Sequence, residues 1–339
     1  MSRPLEEQVV VITGASSGIG RETALACGAK GATVVLAARS KDALEKAARE
    51  IELSGGRAHV VVTDVADWQQ VQHLADETIA RFGRIDTWVN NAAVSEYAEV
   101  WEMTVEEIDR IVAVILMGQI YGMKAALPHM QHERQGTIVN VASALAYRAV
   151  PLQSAYCASK HGIKGFTESL RLELKHAGYA AINVTLVMPS SIDTPLFTHA
   201  RSKMGAYPQP VPPIYDPSTV AEAILFVAQH PRRDVVVGAA KIMTLLERIS
   251  PALADWYMLR NGRLWKQQKT EWPDEGRDNL FEPLEGTGQS RGKFTERSKS
   301  ASLYTRYLGL YPNRLRALAA GAILGLLGLV FWVGRKSAE

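Results

Sequence analysis

The sequence predicts an α/β fold, a doubly wound parallel seven-stranded sheet, between residue 8 and about residue 240. Three observations predict it: seven short runs rich in β-branched residues, helix-length segments between them, and runs that stay apolar along their whole length. Short strands that alternate with helices indicate βαβ units. Continuous apolar strands are typical of a sheet covered by helices on both faces. The predicted strands are VVVIT (9–13), TVVLAA (33–38), HVVVT (59–63), IDTWVN (85–90), GTIVNVAS (136–143), INVTLVM (182–188) and DVVVG (234–238).

Composition narrows the class of protein. The 339 residues are 47% apolar and 22% charged, which is enough for a substantial core. The net charge of +3 arises from evenly mixed charges and disfavours a nucleic-acid binder. Cys27 and Cys157 have no metal-ligand spacing, so we expect no metal site and a reducing compartment. The N-terminal MSRPLEEQ has no apolar signal region, so export by a cleaved signal is not expected.

The C-terminal quarter is predicted to contain an extension and an anchor. We place a Rossmann-like domain at residues 1–257, a polar linker or juxtamembrane extension at 258–316 and a transmembrane helix at 317–333. Residues 258 to about 300 are rich in Gly and mixed charge, which is typical of a tether or a loosely packed extension. The segment SLYTRYLGLYPNRLR (302–316) fits either a helix in the lipid headgroup region or a solvated linker.

The run ALAAGAILGLLGLVFWV (317–333) has no charged residue. As a helix it would reach roughly 26 Å, close to the hydrocarbon thickness of about 30 Å. Arginine and lysine on its flanks, with two aromatic residues near its end, would extend the span. A buried C-terminal helix is the alternative, although such a helix normally has one polar face. We expect a single-pass C-terminal membrane anchor, with the main domain facing the cytoplasm.

A glycine-rich turn, TGASSGIG (13–20), follows the first strand directly and leads into a helical run. Glycine allows backbone conformations that other residues avoid, and N–H groups at a helix N-terminus bind a pyrophosphate. A purely structural turn looks similar, but the position directly after the first strand favours a nucleotide site. The candidate cofactor-binding residues in this turn are Gly14, Ser16, Ser17, Gly18, Ile19 and Gly20.

Tyr156 and Lys160 lie four residues apart on a helix predicted to run to about residue 176, so they share one face. An ordinary surface pair has the same spacing. A neighbouring ammonium and a cationic nicotinamide, however, would favour the phenolate and lower the pKa of the tyrosine, which would make it a general acid or base. Ser143 ends the fifth predicted strand, at the carboxyl edge where such sheets bind ligands. A turn serine is the alternative for Ser143 taken alone.

These motifs occur in a specific order: TGASSGIG, then NNAA (90–93), Ser143, and YCASK (156–160). In this order and spacing they resemble the classical short-chain dehydrogenase/reductases, over about residues 8–240. The resemblance implies a domain that binds NAD or NADP, commonly as a dimer or tetramer. It also implies that Tyr156 protonates a carbonyl oxygen as hydride arrives from the nicotinamide, that Lys160 holds the nicotinamide ribose, and that Ser143 hydrogen-bonds the substrate oxygen.

The resemblance assigns further cofactor residues. It matches two of them to adenine contacts after the third strand, two to the segment that supports the cofactor and the sheet, and three to the segment that closes over the nicotinamide. They are Asp64, Val65, Asn90, Asn91, Pro189, Ile192 and Thr194. This chain departs from the family at Ala93 and Ser190, where the family usually has Gly.

The end of the second strand bears on the choice of cofactor. A carboxylate there would accept hydrogen bonds from the ribose of NAD and repel the additional phosphate of NADP. The sequence has Ala38 followed by Arg39, whose guanidinium is a bidentate partner for a 2′-phosphate. A solvated loop cation beside Lys41 is the alternative for Arg39. We expect NADP rather than NAD.

Residues 196–217 include five prolines and are predicted to be irregular, as a mobile lid over the substrate pocket or as a rigid surface loop. Phe197, Met204 and Tyr207 would give such a lid an apolar underside. Together with the apolar tail, this segment favours a lipophilic carbonyl or alcohol substrate.

The run IVAVILMGQIYG (111–122) is apolar except for Gln119 and predicts a buried helix. In the resembling family, an asparagine three residues before the glycine holds a water that links the lysine to solvent. This chain has Ile115 at that position. Because the proton donor and the substrate clamp are both present, we expect an active oxidoreductase that interconverts an alcohol and a ketone or aldehyde. The alternative is a nucleotide-binding scaffold or sensor with the same fold and weak or no catalysis.

Overall fold

Seven strands form the central sheet of the protein. They are β1 (Val9–Thr13), β2 (Thr33–Ala38), β3 (Arg57–Val62), β4 (Thr87–Asn90), β5 (Gly136–Val141), β6 (Ile182–Pro189) and β7 (Asp234–Val237). A computed structural model describes residues 3–239, 250–260, 268–284 and 288–311. The strand order is β7-β6-β5-β4-β1-β2-β3, and every neighbouring pair is parallel. The predicted sheet is confirmed, although β3 begins two residues early because Arg57 pairs with Thr33.

Helices cover both faces of this sheet. They are α1 (Gly18–Gly28), α2 (Lys41–Leu53), α3 (Trp68–Phe82), α4 (Val105–Val112), α5 (Gly118–His132), α6 (Ser154–His176), α7 (Leu196–His199), α8 (Ser218–Gln229) and α9 (Pro251–Leu259). The core on one face includes residues of α1, α2 and α8, and the core on the other includes residues of α3, α4, α5 and α6. The fold is therefore doubly wound, as the sequence predicts.

The two cores explain why the strands are apolar throughout. In β1, Val10 and Ile12 belong to the core beneath α1 and α8, whereas Val9 and Val11 belong to the opposite core. Successive side chains of a strand point to opposite faces of the sheet. A strand with helices on both sides consequently needs an apolar residue at every position.

The apolar run 111–122 lies inside a continuous helical segment, Val105–His132, which contains a π-helical turn at Ala113–Met117. Within the described part of the chain, this is the one helix long and apolar enough to span a membrane. Half of its most apolar window is buried, and Ile111, Ile115 and Met123 belong to the core beside the sheet. Its apolar composition is therefore that of a core helix. The transmembrane helix predicted at 317–333 lies outside the described residues and stays a prediction.

The polar stretch after residue 257 packs against the domain at residues 268–284 and 288–311. Lys269–Pro273 forms an antiparallel pair with Ala206–Pro208, and Ser298–Lys299 pairs with Ile214–Tyr215. Leu280 is fully buried. The prediction of a tether is therefore wrong for these residues. Backbone pairing and a few buried apolar side chains fix the segment to the domain, although its composition is mostly polar. The division of the chain at residue 257 stays a prediction.

The proline-rich segment 196–217 is fixed by the two pairings just described and by a third. It contains α7 and three short strands, Arg201–Ser202, Ala206–Pro208 and Ile214–Tyr215. Arg201–Ser202 pairs with Glu96–Tyr97, and the other two strands pair with the C-terminal extension. The segment therefore has backbone partners along its length and forms one side of the cavity described next.

Candidate active site

A cavity of about 320 Å³ lies at the carboxyl edge of the sheet. It is bordered by the loops after β1 through β6, because the carboxyl ends of parallel strands meet at one edge. The predicted site residues that line it are Gly14, Ser16, Ser17, Gly18, Ile19, Arg39, Asp64, Val65, Asn91, Ser143, Tyr156, Lys160, Pro189, Ile192 and Thr194. Gly20 and Asn90 do not line it.

The glycine-rich turn is shaped by its contact with the loop after β4. Gly14 has a φ of +68°, and a Cβ atom there would lie 2.7 Å from the Ala92 Cα atom. Asn91 Nδ2 donates a hydrogen bond to the Thr13 carbonyl oxygen at 3.0 Å. The turn therefore leaves a shallow cradle beside the first turn of α1, which suits the phosphates of a dinucleotide.

Asn90 has a structural position below the cavity. Its Nδ2 donates to Asn140 Oδ1 at 2.9 Å, and its Oδ1 accepts from Trp88 Nε1 at 2.8 Å. The residue is 1% exposed. Asn90 thus links β4 to β5 and supports the site without lining it.

Ser143, Tyr156 and Lys160 line the cavity together. Ser143 follows β5, and its Oγ accepts a hydrogen bond from the Leu145 N–H at 3.1 Å, so it is also the turn serine that the alternative describes. Tyr156 and Lys160 lie in the first two turns of α6. Lys160 Nζ donates to the Val141 carbonyl oxygen at 2.8 Å and lies 5.4 Å from the centre of the Tyr156 ring.

The protein's own groups shift the pKa of Tyr156 upward, and the lowering expected beside a cationic nicotinamide stays a prediction. Burial raises the pKa of Tyr156 well above its ordinary value, and the Ser143 hydroxyl offsets only part of this shift. Burial also lowers the pKa of Lys160 to about 7. Both shifts have one cause, since a site closed to water penalises the charged form of any group. At neutral pH the phenol is therefore protonated, and the amine is close to its titration midpoint.

Gln119 does not line the cavity but binds the same backbone carbonyl as Lys160, a contact that sequence reasoning missed. Its Nε2 donates at 3.0 Å to the Val141 carbonyl oxygen, the same atom that accepts from Lys160. Its Oε1 is buried and has no hydrogen-bond partner among the described residues. Ile115, four residues earlier, is fully buried among apolar side chains. The sequence feature that could have indicated this contact is Gln119 itself, the single amide in the apolar run 111–122.

The C-terminal extension also reaches the cavity. Arg39 Nη1 donates to the Phe281 carbonyl oxygen and Nη2 to the Asn279 carbonyl oxygen, both at 2.5 Å. Asn279, Pro283 and Leu284 line the cavity beside Arg39. No local pattern predicts this contact, because about 240 residues separate its two sides.

The remaining residues that line the cavity combine apolar side chains with amides. The apolar members are Val94, Tyr97, Leu145, Val150, Leu196, Phe197 and Val211, and the amides are Gln153, Gln209 and Gln268. His199 also lines the cavity, and burial lowers its pKa, which favours the neutral imidazole. In the described part of the chain, no cluster of three or more metal-ligating side chains is present.

The family model of the short chain dehydrogenases matches residues 8–205, more than half of the chain and all six strand-end loops that border the cavity. The chain belongs to the short-chain dehydrogenase family. Its parallel seven-stranded sheet is the Rossmann-like fold that the resemblance implies, whereas the roles of Ser143, Tyr156 and Lys160 stay predictions. Within this family, the chain is an NAD(P)-dependent dehydrogenase or reductase, which its relatives also support.

Two relatives and one solved structure show how far the similarity extends. The uncharacterized oxidoreductase YxnA of Bacillus subtilis is 38% identical over 338 residues, covering 98% of this chain and 92% of that protein. The 3-oxoacyl-(acyl-carrier-protein) reductase FabG of Thermotoga maritima is 34% identical over 227 residues, covering 66% of this chain and 91% of that protein. An alcohol dehydrogenase from the archaeon Thermococcus sibiricus, complexed with 5-hydroxy-NADP, has a TM-score of 0.60 at 25% identity, covering 68% of this chain and 95% of its own. The match to YxnA therefore takes in the C-terminal extension.

The buried amine predicts a pH-dependent stability difference. Lys160→Met keeps a long side chain and removes the titrating group. The wild-type folded state has a Lys160 pKa of about 7, whereas an unfolded lysine titrates near about 10.4. Burial of the charged amine therefore destabilises the folded state fully below pH 7. This destabilisation disappears as the pH rises towards the pKa of lysine in the unfolded chain. We expect the thermal midpoint of Lys160→Met, relative to wild type, to be higher at pH 6 than at pH 9.

The matched control for this measurement is Lys30→Met, which changes an exposed lysine. Its midpoint relative to wild type should be the same at both pH values. A pH-independent difference for Lys160→Met would contradict the shifted pKa.

Proposed function

We propose that this short-chain dehydrogenase uses NADP and interconverts an alcohol and a ketone or aldehyde. The observation that carries the proposal is the convergence of Ser143, Tyr156, Lys160 and Arg39 on one cavity. The first three residues are the groups that carbonyl reduction needs at the substrate oxygen, and Arg39 is the group that a 2′-phosphate needs. The three polar side chains thus support carbonyl reduction as the reaction class, and the positive charge of Arg39 supports NADP as the cofactor.

The chemistry follows from the protonation states of the site. Burial keeps the Tyr156 phenol protonated at neutral pH, which is the form that donates a proton to a carbonyl oxygen as an alcohol forms. The Ser143 hydroxyl accepts from the Leu145 N–H and also hydrogen-bonds to Tyr156, so the two hydroxyl groups lie close enough together to bind one substrate oxygen. Lys160 Nζ donates one hydrogen bond to the Val141 carbonyl oxygen, and its other N–H groups can donate to the ribose hydroxyls of the dinucleotide. The bound dinucleotide supplies the hydride.

The charge distribution at the end of β2 supports NADP. Arg39 hydrogen-bonds to two neutral carbonyl oxygens, and among the described residues no carboxylate lies within ion-pair distance of it. The nearby Asp64 carboxylate is instead paired with Arg110 at 2.7 Å. Burial, and then Arg110, lower the pKa of Arg39. A partly buried guanidinium next to a second one provides a favourable site for a phosphate.

The apolar side chains that line the cavity support a lipophilic substrate. Val150, Leu196 and Phe197 offer a surface that favours hydrocarbon, while Gln153 and Gln209 can fix a polar group. We infer a carbonyl compound with an apolar body. The oligomer implied by the family, a dimer or tetramer, is part of the same proposal.

Replacement of the proposed acid gives a direct test. Tyr156→Phe keeps the buried ring and removes the hydroxyl. We expect NADPH oxidation with aldehydes and ketones of graded lipophilicity to fall at least about a hundredfold, since general acid catalysis contributes about 10² to 10⁴. The dissociation constant of NADPH, measured by fluorescence titration, should change by less than about threefold because the phenol acts on the substrate oxygen.

Tyr121→Phe is the matched control, because Tyr121 packs against Trp68 away from the cavity. It should retain wild-type turnover. Substantial turnover in Tyr156→Phe would place the acid elsewhere, and NADPH binding without turnover in wild type on every carbonyl would favour the scaffold alternative.

Cofactor choice is tested by Arg39→Ala. A charge-assisted hydrogen bond contributes about 1.5 to 3 kcal/mol, so the ratio of kcat/KM with NADPH to kcat/KM with NADH should fall roughly ten- to a hundredfold. The control is Lys41→Ala, which removes an exposed cation that pairs with Glu45 on its own helix. The control should leave the ratio unchanged. A wild-type preference for NADH would contradict the proposal.

We propose, finally, that residues 317–333 anchor the protein in a membrane, with the catalytic domain in the cytoplasm. The length and composition of this run support the proposal. The full chain should sediment with membranes and resist alkaline extraction, whereas a chain that ends at residue 316 should remain in the supernatant. Full-length protein in the supernatant would contradict the anchor.

A further inference from the structure

Residues 279–284, which we term the clasp, are tied to the two loops at the Arg39 end of the cavity. Arg39 donates to the carbonyl oxygens of Asn279 and Phe281. Arg110 Nε donates to the Leu280 carbonyl oxygen at 3.0 Å, while its Nη2 binds Asp64 at 2.7 Å. The clasp therefore contacts the end of β2 directly and is linked to Asp64, at the end of β3, through Arg110. The sequence places the adenosine half of a dinucleotide at these two strand ends.

The clasp is firmly held from its outer side as well. The Asn279 N–H donates to the His199 carbonyl oxygen at 2.9 Å, and the preceding Asp278 pairs with Arg201 at 2.9 Å. Leu280 is fully buried within the core beneath α3 to α6. A segment with these backbone bonds, an ion pair and a buried anchor is part of the fold rather than a surface loop.

The next part of the extension follows the phosphate and nicotinamide loops. The Gly18 N–H, at the start of α1, donates to the Gln289 carbonyl oxygen at 2.9 Å. Buried Asp193, between Ile192 and Thr194, accepts from the Phe294 N–H at 3.0 Å. Gly292 lies so close to this loop that a Cβ atom would be 2.5 Å from Asp193 Oδ1 and 2.7 Å from the Thr194 oxygen. The described parts of the extension thus contact the loops after β1, β2 and β6, three of the strand ends at which a dinucleotide would bind.

Asn279 has an unsatisfied acceptor at the cavity. It lines the cavity, and its Oδ1 is buried without a hydrogen-bond partner among the described residues. Buried polar atoms of native proteins almost always have a partner, and an unpaired one destabilises the fold. A ligand that occupies the cavity and carries an N–H or O–H donor would satisfy this atom.

We propose that the clasp is the outer wall of the dinucleotide site and that Asn279 is a cofactor-binding residue, whose Oδ1 accepts a hydrogen bond from an amino or hydroxyl group of the dinucleotide. The inference rests on the proposed binding of NADP. It extends the site to a segment outside the matched family region, which ends at residue 205. The cofactor is then held between the sheet edge and the extension.

Asn279→Ala tests the side chain alone, because both bonds of Asn279 to His199 and Arg39 are made by its main chain. In the full-length protein we expect the dissociation constants of NADPH and of NADH, measured by fluorescence titration, to rise about threefold to tenfold, the effect of one lost hydrogen bond. The matched control is Arg291→Ala. Arg291 lies on the same extension, pairs with Asp216 and does not line the cavity, so both constants should stay at wild-type values.

Hydrogen exchange of the wild-type protein provides the second measurement. Addition of NADPH should slow exchange of the amides of residues 279–284 if the cofactor is held beneath them. Faster or unchanged exchange would contradict the proposed contact between the clasp and the cofactor. Wild-type dissociation constants in Asn279→Ala would contradict the role of Asn279. Both results would leave the proposed function intact. A wild-type protein that binds neither NADPH nor NADH would overturn both the clasp and the proposed function.

Discussion

The parallel pairing of seven strands is the constraint on which the rest of this protein depends. Parallel strands need a crossover helix after each strand, and those helices cover both faces of the sheet. Every strand therefore ends at the same edge, and six consecutive strand ends deliver the glycine-rich turn, Arg39, Asp64, Asn91, Ser143 and Thr194 to one cavity. The site exists because residues spread over about 180 positions share this edge.

Burial at that edge determines the chemistry as strongly as the choice of side chains does. Tyr156 and Lys160 are the residues expected of a proton donor and its neighbour, yet both are buried. The phenol is consequently held as an acid, and the amine titrates near neutral pH. Hydrogen bonds from Lys160 and Gln119 meet at the Val141 carbonyl oxygen, so this one backbone group joins α6 to the helical segment that contains Ile115.

The C-terminal extension gives this family member a second wall around the common site. A parallel sheet presents its ligand edge as an open crevice, and in this protein a polar segment borders that crevice from Arg39 to Asp193. Main-chain groups make most of these contacts, with carbonyl oxygens that accept from Arg39, Arg110 and Gly18. A segment that binds through its backbone can have a composition typical of a linker.

The sequence by itself determined the sheet, its helices and the group Ser143, Tyr156 and Lys160, because periodicity and local motifs encode strands, turns and helix faces directly. Only the tertiary structure decided the direction of the Tyr156 pKa shift, the role of Gln119 and the place of Asn279. Burial depends on everything packed around a group, and the contact between Arg39 and Phe281 joins residues 242 positions apart. Neither property leaves a local pattern in the chain, since each arises only when distant segments meet.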